Sequence, residues 1–138
     1  MILHPQLQQD CFVIGKFDLN LLLLLNDKQY PWFILVPQRE NIKEIHHMSA
    51  QDQQQLMLES SQLAQALEDI FTPDKINVAA LGNMVPQLHI HHIARFKTDP
   101  AWPKPVWGVL PAKPYEDTDA QALKQTIFDV LPTLEHLA

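Results

Sequence analysis

The sequence predicts an α+β fold: an antiparallel sheet made of two hairpins, a long helix packed on it, and a second helix at the C-terminus. Three observations carry the prediction. Two apolar runs, residues 17–25 and 32–36, flank a segment rich in turn residues. A second pair, residues 76–81 and 85–96, flanks Gly82. Between the pairs, residues 49–71 repeat apolar side chains at helical spacing.

Composition bounds what such a fold can do. The 138 residues suit a single domain, 1–138, and the 46% hydrophobic and 19% charged content matches a soluble globular protein. Ten Lys and Arg against sixteen Asp and Glu give a net charge of −6, which argues against a broad nucleic-acid surface. The single cysteine, Cys11, excludes an intrachain disulfide framework and a Cys-x-x-Cys metal clip. Three glycines leave no room for a Walker loop or a dinucleotide fingerprint. No secretory leader pattern is present and the apolar run 21–25 is too short to span a membrane, so a cytoplasmic location is expected.

Taken in order, residues 5–14 read as a short helix, with Pro5 at its first position and Gly15 as its stop. Residues 17–25 alternate at first and then turn wholly apolar, as a strand half exposed at its start and buried later would. Turn chemistry at 26–31 leads into the strand 32–36, ended by Pro37. His46 and His47 are adjacent and read as linker histidines ahead of Ser49, a good N-cap. The helix 49–71 carries Leu56, Leu63, Leu67 and Ile70 on one stripe and ends at Thr72-Pro73. Five prolines break up residues 97–115, where Trp102, Trp107 and Tyr115 mark an aromatic-anchored arm. Pinning this arm down is the preferred role of the tryptophans over lining a ligand pocket, because nothing in the sequence directs the arm to a site. A final helix follows, with Thr118 as cap, Gln121 completing a capping box and Pro132 ending it.

Chemistry concentrates in residues 77–95. Side chains alternate across a strand, so Gln87, His89 and His91 are expected on one face, with Leu88, Ile90 and His92 on the other. Same-face neighbours lie roughly 6–7 Å apart, from about 3.3 Å of rise per residue. Two imidazoles at that spacing can grip one phosphate. A ring with an ordinary pKa of about 6.5 is also partly neutral, hence nucleophilic, near pH 7. Gly82 and Asn83 just upstream offer a tight turn and an amide for phosphate oxygens.

The stretch Gln87-Leu88-His89-Ile90-His91-His92-Ile93, followed by Ala94-Arg95, resembles the signature of the histidine triad (HIT) family, His-x-His-x-His-x-x with x apolar. Gln87 stands in place of the first histidine, and His92 occupies a place usually filled by Val. The resemblance covers about residues 3–108, leaving the helical end of the 97–138 arm outside it. It implies a nucleotide hydrolase or transferase of the diadenosine polyphosphate hydrolase-like branch. His89 matches the nucleophile, with His91 and Gln87 binding phosphate oxygens beside it. Asn83 matches a phosphate contact, Asn26 or Asp27 a ribose contact, Asn77 an asparagine early in its strand, and Arg95 the closing arginine. A homodimer with joined sheets is implied as well. No cofactor is implied, beyond a divalent cation that arrives with the substrate.

Three functions compete at this point. The first is hydrolysis of a nucleotide phosphoanhydride or phosphoramidate, with diadenosine tetraphosphate as a representative substrate, through a nucleotidyl-histidine. The second is a nucleotide-binding module of the same fold with little catalysis, because Gln87 replaces a histidine. The third is a metal site on His89, His91 or His92. It is disfavoured because no glutamate lies between Glu68 and Glu116, and Asp99 falls beyond the strand.

Overall fold

A computed structural model describes residues 1–137. Its elements are α1 (Pro5–Asp10), β1 (Cys11–Lys16), β2 (Asn20–Leu25), β3 (Trp32–Pro37), α2 (Ala50–Phe71), β4 (Lys75–Ala79), β5 (Ile90–Arg95) and α3 (Asp117–Val130). The five strands form one antiparallel sheet in the order β1-β2-β3-β5-β4. This is the α+β arrangement the sequence predicts, with one strand more than its two hairpins supply.

The extra strand corrects the reading of residues 5–14 as one helix. Helix α1 stops at Asp10, and Cys11 to Val13 pair with Leu25 to Leu23. Apolar and β-branched side chains at 11–14 gain more from a ladder beside β2 than from two further helical turns. Gly15 is no helix stop. It sits at a bulge after Val13, where a Cβ would lie 2.7 Å from the carbonyl oxygen of Glu135 and 2.9 Å from the Phe128 ring. The C-terminal tail packs there, exchanging backbone hydrogen bonds with Lys16. At the other end, α3 starts from Glu116 rather than Thr118, without a side-chain cap, and ends at Val130 just before Pro132.

Both faces of the sheet are covered, which is why β3 is buried throughout. On one face Leu22, Leu24, Phe33 and Leu35 pack against Leu63 and Leu67 of α2 and Ile127 of α3. On the other, Leu23, Trp32, Ile34 and Ile93 meet Leu3 and Leu7 from the N-terminal segment and Ala101 and Val106 from the arm. Helix α2 is capped by Ser49 Oγ, which accepts from the Asp52 amide at 3.1 Å. Its buried Glu59 accepts from the amides of Leu19 and Asn20, the Asn20 side chain and the Gln55 side chain, tying the helix to the start of β2. No helix among the described residues is long and apolar enough to cross a membrane.

Strands β4 and β5 are shorter than their sequence pattern suggests. Pairing ends at Ala79 and resumes at Ile90, so residues 80–89 form a loop rather than a tight turn at Gly82. Gly82 does take a positive φ of 79°, which suits glycine. The loop is anchored where the Leu88 amide donates to the Ile42 carbonyl at 3.0 Å.

Candidate active site

His89 closes that loop and His91 lies one step into β5, so the strand's start aims both rings at the same side of the sheet. Their centroids are 4.9 Å apart, edge to face, and each residue is only 6% exposed. His89 Nδ1 lies 2.7 Å from the Gln87 carbonyl oxygen. A carbonyl can only accept, so a neutral His89 carries its proton on Nδ1 and keeps a lone pair on Nε2. His91 is arranged the opposite way. The Trp32 indole donates to His91 Nδ1 at 2.9 Å, which leaves the proton of the neutral ring on Nε2. Burial, and after it the neighbouring His89 and His92, push the His91 pKa down to about 3. The neutral His89 ring thereby keeps a lone pair on Nε2, and the neutral His91 ring a hydrogen-bond donor there.

The two rings open onto a cleft of about 420 Å³. Its apolar wall comes from Leu7, Leu25, Trp32 and Ile34, and the exposed Asn83 reaches it from the 80–89 loop. Trp107 also lines it, edge-on to Trp32 at 5.4 Å and to His91 at 5.0 Å between centroids. That corrects the preferred role of the arm's aromatics for this residue: Trp107 is part of the cleft. Trp102 keeps the pinning role, stacked 5.7 Å from the Arg95 guanidinium.

Gln87 does not join the rings through its side chain. Its Oε1 accepts from the His4 amide at 2.8 Å, and its Nε2 donates to the Ile2 carbonyl at 3.2 Å. The alternation argument fails there because regular strand geometry begins only at Ile90. Gln87 serves His89 through its backbone instead.

Four other residues proposed from the resemblance are committed elsewhere. Asn26 Oδ1 accepts from the Tyr115 amide at 2.8 Å. Asp27 is 4% exposed and accepts from Gln29 and from the Lys113 amide, so both residues fasten the arm's end to the β2–β3 turn. Arg95 is 2% exposed, paired with Asp99 at 2.8 Å and bonded to Asn77 Oδ1 at 2.9 Å. Burial raises the Asp99 pKa, but Arg95 and three backbone amides outweigh it and hold the group at about 2. This closed cluster occupies the Arg95 guanidinium and the side-chain oxygen of Asn77.

The remaining histidines divide cleanly. His92 points behind the sheet, fully buried, its Nε2 2.7 Å from Ser60 Oγ on α2 and its Nδ1 3.1 Å from the Ile90 carbonyl. His47 folds back over its own turn, accepting from the amides of Lys43 and Glu44. His46 stacks edge-on to His47 and borders a small recess of about 130 Å³ that His89 also touches. Among the described residues no group of three or more His, Cys, Asp or Glu is placed to hold a metal ion.

Sequence reasoning overlooked Leu7, Leu25, Trp32 and the polar pair Gln6 and Asp10 as cleft residues. The i, i+4 spacing of Gln6 and Asp10 was the available signal, masked by reading α1 only for its apolar side.

Two neighbouring histidines of opposite tautomer at the start of β5 face one cleft. In comparison with known proteins, the HIT domain model matches residues 6–98, and the chain belongs to the HIT family. It is similar to a crystal structure of a histidine triad protein from Marinobacter aquaeolei, 46% identical, with a TM-score of 0.94 over 97% of this chain and 98% of that one. A histidine triad protein from Bradyrhizobium japonicum is 42% identical, with a TM-score of 0.92 over 94% and 97% of the two chains. One from Sinorhizobium meliloti is 41% identical, with a TM-score of 0.92 over 94% and 96%. No curated protein matches the chain.

Proposed function

We propose that the protein is a nucleotide hydrolase of the histidine triad type, in which His89 attacks the α-phosphorus of a phosphoanhydride or phosphoramidate. The observation that supports this best is the Gln87 carbonyl 2.7 Å from His89 Nδ1, which directs the lone pair to Nε2. Attack from Nε2 forms a P–N bond and breaks the bond to the leaving group, which departs with the electron pair. The ring becomes cationic while its Nδ1–H still faces the Gln87 carbonyl, so the charge is met without rearrangement. His91 Nε2–H donates to a non-bridging oxygen as charge builds there, and Asn83 adds a second polar contact. Water then attacks phosphorus, the P–N bond breaks, and the nucleoside monophosphate leaves as the water's proton passes to solvent. With diadenosine tetraphosphate the products are AMP and ATP.

The same proposal includes a homodimer, a cytoplasmic location and no resident cofactor, with a divalent cation at most accompanying the polyphosphate. One observation favours the second reading, a nucleotide-binding module with little turnover: the Gln87 side chain is turned to Ile2 and His4 and gives the phosphate nothing. A panel of dinucleoside polyphosphates and nucleoside phosphoramidates, run on wild type beside His89→Ala, separates the two. Release of nucleoside monophosphate by wild type alone supports hydrolysis. Binding without turnover selects the module, and neither binding nor turnover rejects both.

A further inference from the structure

The carbonyl that orients His89 is not held by the sheet. Regular pairing on β5 starts at Ile90, opposite Leu35, so Gln87 lies outside the ladder near the end of the 80–89 loop. A loop carbonyl keeps one direction only where other bonds hold its residue. For Gln87 those bonds come from its side chain. Its Oε1 accepts from the His4 amide at 2.8 Å, and its Nε2 donates to the Ile2 carbonyl at 3.2 Å.

Residues 2–4 are themselves well anchored. Leu3 is buried in the same apolar cluster as Leu7 and Ile34. Its carbonyl accepts from Gln8 Nε2 at 2.6 Å, and the His4 carbonyl accepts from the Gln8 amide at 3.0 Å, which fixes the segment to α1. On the other side the packing is open. Residues 1–5, 39–43, 86 and 87 border a cavity of about 330 Å³. A side chain bordering a void lacks contacts on that side, so the two hydrogen bonds carry more of the task of placing Gln87.

From this chain of contacts we propose that residues 2–4 are a positioning segment for His89. They hold the Gln87 side chain, the held residue aims its carbonyl at His89 Nδ1 from 2.7 Å, and that carbonyl keeps the His89 lone pair on Nε2. The consequence for turnover rests on the hydrolase reading above; the consequence for the ring does not. Once Gln87 is loosened, the neutral ring exchanges between its Nδ1–H and Nε2–H forms, and only the first leaves Nε2 able to attack.

One backbone hydrogen tests this. His4 has a φ of −53°, within the range of proline, so His4→Pro removes the amide donor without bending the chain there. His4→Ala is the control: it keeps the amide and loses only the ring, whose Nδ1 accepts from the Gln6 amide at 3.1 Å. Nitrogen-15 shifts of His89 are expected to show a single Nδ1–H tautomer in wild type and His4→Ala, and a mixture in His4→Pro. Turnover should fall about threefold to fivefold in His4→Pro relative to His4→Ala, with KM little changed. In a Gln87→Ala background His4→Pro should have no further effect, because its acceptor is already gone. His89 shifts that are alike in His4→Pro and His4→Ala overturn the proposal. So does a His4→Pro effect that persists in full beside Gln87→Ala. Should His4→Pro not fold, Gln87→Ala alone removes both bonds, and a single His89 tautomer there overturns the proposal equally. If no nucleotide is turned over, the hydrolase reading falls, while the His89 shifts still decide the role of residues 2–4.

Discussion

The Trp32 indole nitrogen donates to His91 Nδ1 at 2.9 Å, so a residue on β3 sets the protonation of a residue on β5. The bond is buried, and the register that pairs Trp32 with Ile93 and Ile34 with His91 holds the two side chains together. Without the indole, His91 is free to exchange between two neutral tautomers, only one of which donates from Nε2. Trp32→Phe keeps most of the ring and loses the donor. Turnover is expected to fall about fivefold to tenfold, the equivalent of roughly 1 kcal/mol for one hydrogen bond. Nitrogen-15 shifts of His91 should change from a single Nε2–H tautomer to a mixture. Unchanged shifts in Trp32→Phe would remove the indole from this role.

His89 is expected to be the covalent nucleophile. His89→Ala should cost several powers of ten in turnover while nucleotide affinity and the unfolding midpoint stay close to wild type, because only the bond-making step is lost. A reaction quenched early should carry an acid-labile nucleotidyl group on His89. Finding it on His91 or His92 contradicts the mechanism, since Trp32 occupies Nδ1 of the first and Ser60 faces Nε2 of the second.

Gln87 reaches His89 with its backbone and the N-terminal segment with its side chain. Gln87→His and Gln87→Ala should therefore both keep kcat within about tenfold of wild type, ~1.4 kcal/mol in barrier. The side-chain bonds to Ile2 and His4 are lost in Gln87→Ala, and faster proteolysis of the first residues should report it. A gain in turnover of a hundredfold in Gln87→His would mean that the glutamine had silenced the site.

What the sequence made legible follows from how local each signal is. Two hairpins, α2 with its Ser49 cap and the juxtaposition of His89 with His91 depend on period and on neighbouring residues, and all are present. The strand β1 was hidden because residues 5–14 satisfy helix and strand patterns alike, and only pairing with Leu21–Leu25 decides between them. Arg95, Asn26 and Asp27 look like ligand contacts in a linear reading. Their true partners, Asp99, Tyr115 and Lys113, lie in a proline-rich arm whose path no periodicity reveals. Trp107 enters the cleft for the same unreadable reason.

Two buried histidines predict how stability responds to pH. Burial holds His91 at about 3 and His92 at about 4, against an ordinary 6.5; the Ile90 carbonyl offsets a little of the shift at His92. In the unfolded chain both rings take up a proton as pH falls through about 6.5, whereas the folded protein leaves them neutral until far lower. Unfolded molecules therefore bind up to two more protons across that window. Stability is complete above pH 6.5 and declines as pH falls toward 4, with a slope of up to about 2.7 kcal/mol per unit for two full protons. Asp99 works in the other direction: held at about 2, it contributes stability that is lost only as pH drops below the ordinary carboxylate range. Urea midpoints between pH 7.5 and 5 lie above that range and isolate the histidine contribution. In His92→Val the slope should be about half that of wild type, although the orphaned Ser60 hydroxyl lowers stability at every pH by about 1–3 kcal/mol. A wild-type midpoint that stays flat from pH 7.5 to 5 would show that these rings are charged in the folded protein. That outcome would also remove His91 as a neutral donor to phosphate.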